Sequence, residues 1–253
     1  MKLAFIAMLA AAVCLSPAFA ARGADFTWAD AAVGGAWTDA NMWQGGSGGY
    51  PDGAGASAAI SMQSIDVCGI DDVTVGSLSV TLANANRKLL GTGLTFDNAG
   101  APGVLNVSDS WSGSGDPTRL LVPIALAGDL SVTVSGDRAF AIWGGISEIG
   151  QARRLTLHAS AGTGAPVLRA AGSAWTLTGG VYLAGGADAA HYATFADNEA
   201  VYDGAVHMGG YSRYVSDIAA NVTLGSPVVL SPGCHAVVGC VTLESEPPSF
   251  PTS

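Results

Sequence analysis

Residues able to do acid–base or metal chemistry are scattered through this sequence rather than gathered in one motif. The closest acids are Asp71 and Asp72, with Asp66 upstream, and Asp197 with Glu199 further on. A glycosidase needs two carboxyls roughly 5–10 Å apart across a cleft. Neighbours on a strand point to opposite faces, so Asp71 and Asp72 cannot cooperate there. Within Gly69-Ile70-Asp71-Asp72 they read instead as ordinary turn formers. His191 and His207 are far apart, and His235 stands beside Cys234, so no zinc spacing emerges. The EF-hand loop, the Gly-Gly-x-Gly-x-Asp calcium roll and a phosphate-binding glycine loop before a helix are missing from the sequence, and the Gly-x-Ser-x-Gly run Gly45–Gly49 opens no helical pattern, so it makes no nucleophile elbow. No catalytic residue, metal or cofactor is therefore assigned.

Two weaker signals remain. Tyr202, Tyr211, Arg213 and Tyr214 are the ligand-binding candidates, because exposed tyrosines stack on sugars; the competing reading makes them a packed cap. Arg153-Arg154, the basic pair in the middle of the chain, reads as a corner with one side chain turned outward.

What must position these residues is a chain of short strands. Runs such as Ala58–Ser61, Leu78–Leu82, Leu94–Phe96, Val104–Val107, Leu120–Leu126, Leu130–Val134, Leu155–His158, Trp175–Thr178 and Val181–Leu183 alternate apolar with Thr, Ser or Asn. That is the period-2 mark of a half-buried strand. Between them stand Gly128-Asp129, Gly144-Gly145, Gly179-Gly180 and similar turn residues. Past the N-terminal leader no stretch of a dozen residues carries a helical period. The class is all-β.

Short strands at near-regular spacing favour a stacked architecture over a hairpin-built sandwich. The phrases starting at Leu94, Leu130, Leu155 and Trp175 look like one repeat, with unequal loops between copies. The expected fold is a right-handed parallel β-helix (solenoid). The alternative is an antiparallel β-sandwich or jelly roll, which would tolerate the same spacing.

The stretches Trp37-Thr-Asp-Ala-Asn-Met-Trp43, Tyr50-Pro-Asp-Gly53 through Ile60, Val73-Thr-Val-Gly-Ser-Leu78 and Leu89–Phe96, then Val122–Val134 and Ile142-Trp-Gly-Gly-Ile146, resemble autotransporter-associated β-strand repeat proteins. The resemblance covers about residues 26–185. It implies a parallel β-helix at the bacterial surface or outside the cell, with Phe26, Trp28, Trp37 and Trp43 capping the first repeat. The family's translocating barrel, with its strands of about ten alternating residues, is not expected from strand runs this short.

Compartment follows from the N-terminus. Lys2, the apolar run Leu3–Leu15 and the small-x-small Ala18-Phe19-Ala20 read as a signal peptide cleaved after residue 20. The run is too short to span a bilayer, so no membrane span is expected in the mature chain. Val13 before Cys14 argues against a lipobox. An exported chain can hold a disulfide, and Cys234 with Cys240 is the possible pair; Cys68 then reads as a small buried apolar residue. The formal net charge of −10 argues against nucleic acid and anionic membrane as partners.

The expected organisation is a signal peptide over 1–20, an aromatic cap over 21–56 and a solenoid over 57–186. Further repeats or a C-terminal cap fill 187–245, and a proline-rich disordered tail fills 246–253. The expected function is a secreted, cell-surface or periplasmic structural or adhesive module without catalytic activity. Surface glycans or other surface proteins are its expected partners. The alternative is a polysaccharide-binding or polysaccharide-degrading β-helix.

Overall fold

A computed structural model describes residues 23–30, 33–63, 66–82, 87–109, 118–136, 139–159, 167–185, 193–197, 201–202, 204–209, 211–216, 228–230 and 235–238. The signal peptide, Cys234, Cys240, His191, Glu199 and the proline-rich tail lie outside the described residues.

The chain opens with β1 (Asp25–Trp28), β2 (Gly35–Ala36) and β3 (Trp43–Gly45). It then visits three sheets in rotation. The first circuit is β4 (Ser57–Met62), β5 (Val67–Ile70) and β6 (Val73–Val75). The next are β7 (Ser77–Leu82), β8 (Lys88–Gly91) and β9 (Leu94–Phe96), then β10 (Gly103–Asp109), β11 (Thr118–Leu120) and β12 (Ile124–Leu126). After these come β13 (Leu130–Ser135), β14 (Ala139–Ile142) and β15 (Ile146–Glu148). Among the described residues the later circuits show two named strands each: β16 (Leu155–Ala159) with β17 (Val167–Ala170), β18 (Val181–Gly185) with β19 (Ala193–Asp197), β20 (Val206–Met208) with β21 (Tyr211–Ser216), and β22 (Val228–Leu230) with β23 (His235–Val238). In the third sheet, Trp175 and Tyr202 continue the ladder as single bridges.

Every named strand pairing is parallel except β1 with β3. That sets aside the antiparallel sandwich. Parallel neighbours require a crossover of a dozen or more residues between them. Here the other two sheets supply it: Ser57 pairs with Ser77, and Leu130 with Leu155.

Register explains the core. Along the first sheet Phe26, Ala58, Leu78, Leu105, Val132, Leu157, Leu183 and Met208 form one unbroken inward column. The third sheet contributes Val73, Leu94, Ile124 and Ile146, then changes to Trp175 and Tyr202. All of these are buried. A strand of alternating character must bury one face, and each circuit has only its neighbours to bury it against. The small outward Ser and Thr residues therefore settle into columns of their own.

Three expectations need correction. Leu120–Leu126 is two strands in different sheets, because Pro123 cannot donate to a ladder and the chain turns a corner there. Trp175–Thr178 is a one-residue bridge rather than a strand. The supposed repeat starts also mix sheets. Leu130 and Leu155 are true equivalents, whereas Leu94 and Trp175 belong to the third sheet.

At the N-terminal end four aromatics pack together. Trp43 meets Trp28, Trp37 and Phe26 at ring-centroid distances of 5.0, 4.8 and 6.4 Å, all edge-on. Their indole N–H groups donate to backbone carbonyls: Trp28 to Val33, Trp37 to Pro51 and Trp43 to Trp37. A buried indole needs that partner.

Candidate functional site

The acids are positioned by the corners, where the chain leaves one sheet for the next. Asp52 accepts the Thr74 N–H, Asp66 the Lys88 N–H and Asp71 both the N–H and hydroxyl of Thr92, each at 2.9 Å. Each of these bonds joins one circuit to the next. A turn breaks the backbone ladder, and a short side-chain acceptor restores what the ladder loses. Asp71 and Asp72 thus lie in a turn, Asp72 with φ +55°.

The densest polar cluster surrounds the Arg153-Arg154 corner. The Arg153 N–H donates to Glu148 Oε1 at 2.7 Å, and the Arg154 N–H donates to Asp129 Oδ1 at 3.0 Å. Arg154 Nη2 also reaches Asp129 Oδ2 at 3.4 Å. Glu148 Oε1 takes the N–H groups of Thr178 and Gly179, at 2.8 and 3.1 Å, while Oε2 takes the Thr178 hydroxyl at 2.7 Å. Partial burial pushes this carboxyl up. The hydrogen bonds from Arg153, Thr178 and Gly179 outweigh that, holding it below the ordinary carboxylate value.

From the same corner the Arg154 guanidinium sits over the Tyr182 ring, 5.0 Å from its centroid. Tyr182 stacks in turn on His207, at 4.0 Å and 6°. Arg154 is exposed, as an outward corner residue should be.

The sequence candidates are not brought together as a ligand site. Tyr202 is a core residue: it is 5 % exposed, packs on Trp175 and Phe195, and donates its hydroxyl to the Ala205 carbonyl. Its ring offers no free face to a sugar, because the third-sheet column carries it inward. Tyr211, Arg213 and Tyr214 lie on β21, in backbone register with His235, Val237 and Val238. Cys68 is exposed rather than buried, since it stands outward on β5 with its thiol 3.4 Å from the Gly35 carbonyl. Asp197 ends β19, is buried, and accepts the Val201 N–H at 3.1 Å. Among the described residues no three His, Cys, Asp or Glu side chains could hold a metal ion.

Sequence reasoning missed Glu148, Tyr182 and the clamp made by Asp129, and weighed His207 only as a zinc ligand. The Gly128-Asp129 turn was visible, but its partner Arg154 is a full circuit away. Only the register shows that pairing.

Chemically, these carboxylates work as acceptors for backbone N–H groups. A general acid needs a carboxyl held above its ordinary value. Glu148 is shifted in the opposite direction. What the fold and this corner define is an all-β chain of stacked parallel sheets with acid-clamped turns. No known protein family, curated protein or solved structure matches it.

Proposed function

We propose that this chain is an exported, non-catalytic structural or adhesive module whose three sheets are the faces of a right-handed parallel β-helix, closed at its N-terminal end by the Phe26, Trp28, Trp37 and Trp43 cluster. The rotation of the chain through three sheets supports the helix, and right-handed crossover is the rule for parallel strands. The antiparallel β3 on the edge of β1 supports the cap, since an open sheet edge invites aggregation.

One observation carries the functional reading. Asp52, Asp66, Asp71, Asp129 and Glu148 each spend their carboxylate on backbone N–H groups at corners. They hold neighbouring circuits together instead of converging on a cleft. The resemblance to autotransporter-associated repeats and the signal-like N-terminus support a place outside the cytoplasm.

The test is incubation of the purified chain with neutral and acidic polysaccharides, followed by assay for new reducing ends and for unsaturated products. No product is expected. Polymer shortening that disappears in a Glu148→Gln or Asp129→Asn variant would replace this reading with an enzymatic one.

A further inference from the structure

Three basic residues of this acidic chain line up across neighbouring circuits. Lys88 of β8 pairs in register with Arg119 of β11, Arg119 with Ala141 of β14, and Ala141 with Arg169 of β17. The inward neighbours Leu89, Thr118, Leu120, Leu168 and Ala170 are buried. Lys88, Arg119 and Arg169 therefore share one outward column on the second sheet, each partly exposed. Strands lie about 4.8 Å apart, so Lys88 and Arg119 are one step apart and Arg119 and Arg169 two steps, about 10 Å.

Ala141 sits between the two arginines and is fully buried, so the column dips there. Arg119 is braced by Trp143, its guanidinium 4.8 Å from the ring centroid. The Nε atoms of Arg87, Arg153 and Arg169 are alike buried and find no hydrogen-bond acceptor among the described residues. Asp66 stands beside Lys88 at the foot of the column, with its Oδ1 on the Lys88 N–H.

The surrounding surface sharpens the contrast. Asp52, Asp71, Asp72, Asp97, Asp129 and Glu148 all border the third sheet or its corners. In β4 and β7 the outward residues of the first sheet are small and neutral (Ser57, Ala59 and Ser61; Ser77, Ser79 and Thr81), whereas further along Tyr182 and His207 stand there. The second sheet thus carries a column of three positive charges, one residue wide and interrupted at Ala141.

We propose that this strip binds a linear acidic polysaccharide, whose carboxylates meet Lys88, Arg119 and Arg169 in turn as the polymer lies along the stacked circuits. Guanidinium groups match carboxylates in geometry as well as charge. A uronate chain carries regularly spaced single charges, which suits a one-residue column. Nucleic acid suits it less, because Arg119 covers a face of Trp143 on which a base would stack. The proposal names the partner of the adhesive module and so rests on that reading.

The test measures binding of the full chain to linear polygalacturonate by affinity electrophoresis, at low and high salt. Arg169→Gln is compared with Arg154→Gln, which removes the same charge from another face, and with the combined K88Q/R119Q/R169Q variant. Circular dichroism and melting curves check that each variant folds; should the combined variant unfold, the Arg169 and Arg154 pair carries the test. Salt-sensitive binding is expected, with Arg169→Gln weaker by about threefold, the combined variant by about tenfold, and Arg154→Gln unchanged. Equal behaviour of Arg169→Gln and Arg154→Gln overturns the proposal. So does equal binding of neutral dextran, tighter binding of single-stranded DNA, or no binding of the polyuronate. Polymer length is followed in the same samples: shortening overturns the non-catalytic reading, whereas absent binding without shortening overturns only the strip.

Discussion

Glu148 grips Thr178 at two points across the boundary between circuits, Oε1 taking its N–H at 2.8 Å and Oε2 its hydroxyl at 2.7 Å. The same carboxylate also holds the N–H groups of Arg153 and Gly179. One side chain therefore replaces the ladder where the third sheet gives way to the single bridge at Trp175. Strand pairing alone would leave those donors open at the corner.

This grip depends on charge. A carboxyl held below its ordinary value of 4.5 stabilises the fold while ionised. Its contribution is complete above 4.5 and fades as pH falls through the lower folded value. Glu148→Gln should cost about 1–2 kcal/mol at neutral pH. It should also flatten that part of the acid limb. Chemical denaturation of both proteins from neutral to acidic pH checks this; parallel stability curves would show that the charge is not used.

Gly144 marks a corner where backbone lies directly on backbone. A Cβ there would land on the Val122 carbonyl, as one on Gly91 would land on the Ile70 carbonyl. Gly144→Ala should destabilise by about 1–3 kcal/mol, because backbone rather than a flexible side chain must yield. The melting temperature reads the loss.

Within β10, Leu105 and Asn106 point in opposite directions. Leu105 is fully buried between Leu78 and Val132, whereas Asn106 is exposed. Leu105→Ala should cost about 2–5 kcal/mol. Asn106→Ala should stay within about 0.5 kcal/mol. A one-residue error in register would reverse the order of the two.

Removing Trp43 should do more than open a cavity. Its ring contacts Phe26, Trp28 and Trp37, and its indole N–H holds the Trp37 carbonyl. Trp43→Ala should cost about 3–5 kcal/mol. By loosening β3 from β1 it should also promote self-association through the freed edge. Size-exclusion chromatography of the variant reports the second effect.

Cys68, exposed on β5, should be alkylated in the folded protein without denaturant. Peptide mapping by mass spectrometry identifies the modified site. Protection of Cys68 would restore the buried reading made from sequence.

The sequence by itself determined the class. Alternation such as Leu130-Ser-Val-Thr-Val-Ser135 is a local property of a strand, and Gly128-Asp129 is a local property of a turn, so both are legible without neighbours. The aromatic cluster at Trp28, Trp37 and Trp43 was legible too, since large rings near one end have few other ways to be buried.

The tertiary structure alone decided which strand lies beside which. Leu94 and Leu130 begin similar phrases yet belong to different sheets, because Leu94 follows the corner after β8 whereas Leu130 follows the Gly128-Asp129 corner after β12. It also decided that Tyr202 turns inward, that Cys68 turns outward, and that Asp129 and Glu148 meet at Arg153-Arg154. Lys88, Arg119 and Arg169 are far apart in the chain and became one column only through register. Contacts between circuits join residues 20 or more positions apart, as Ser57 with Ser77 does, and no local pattern encodes which of several similar strands will be the partner.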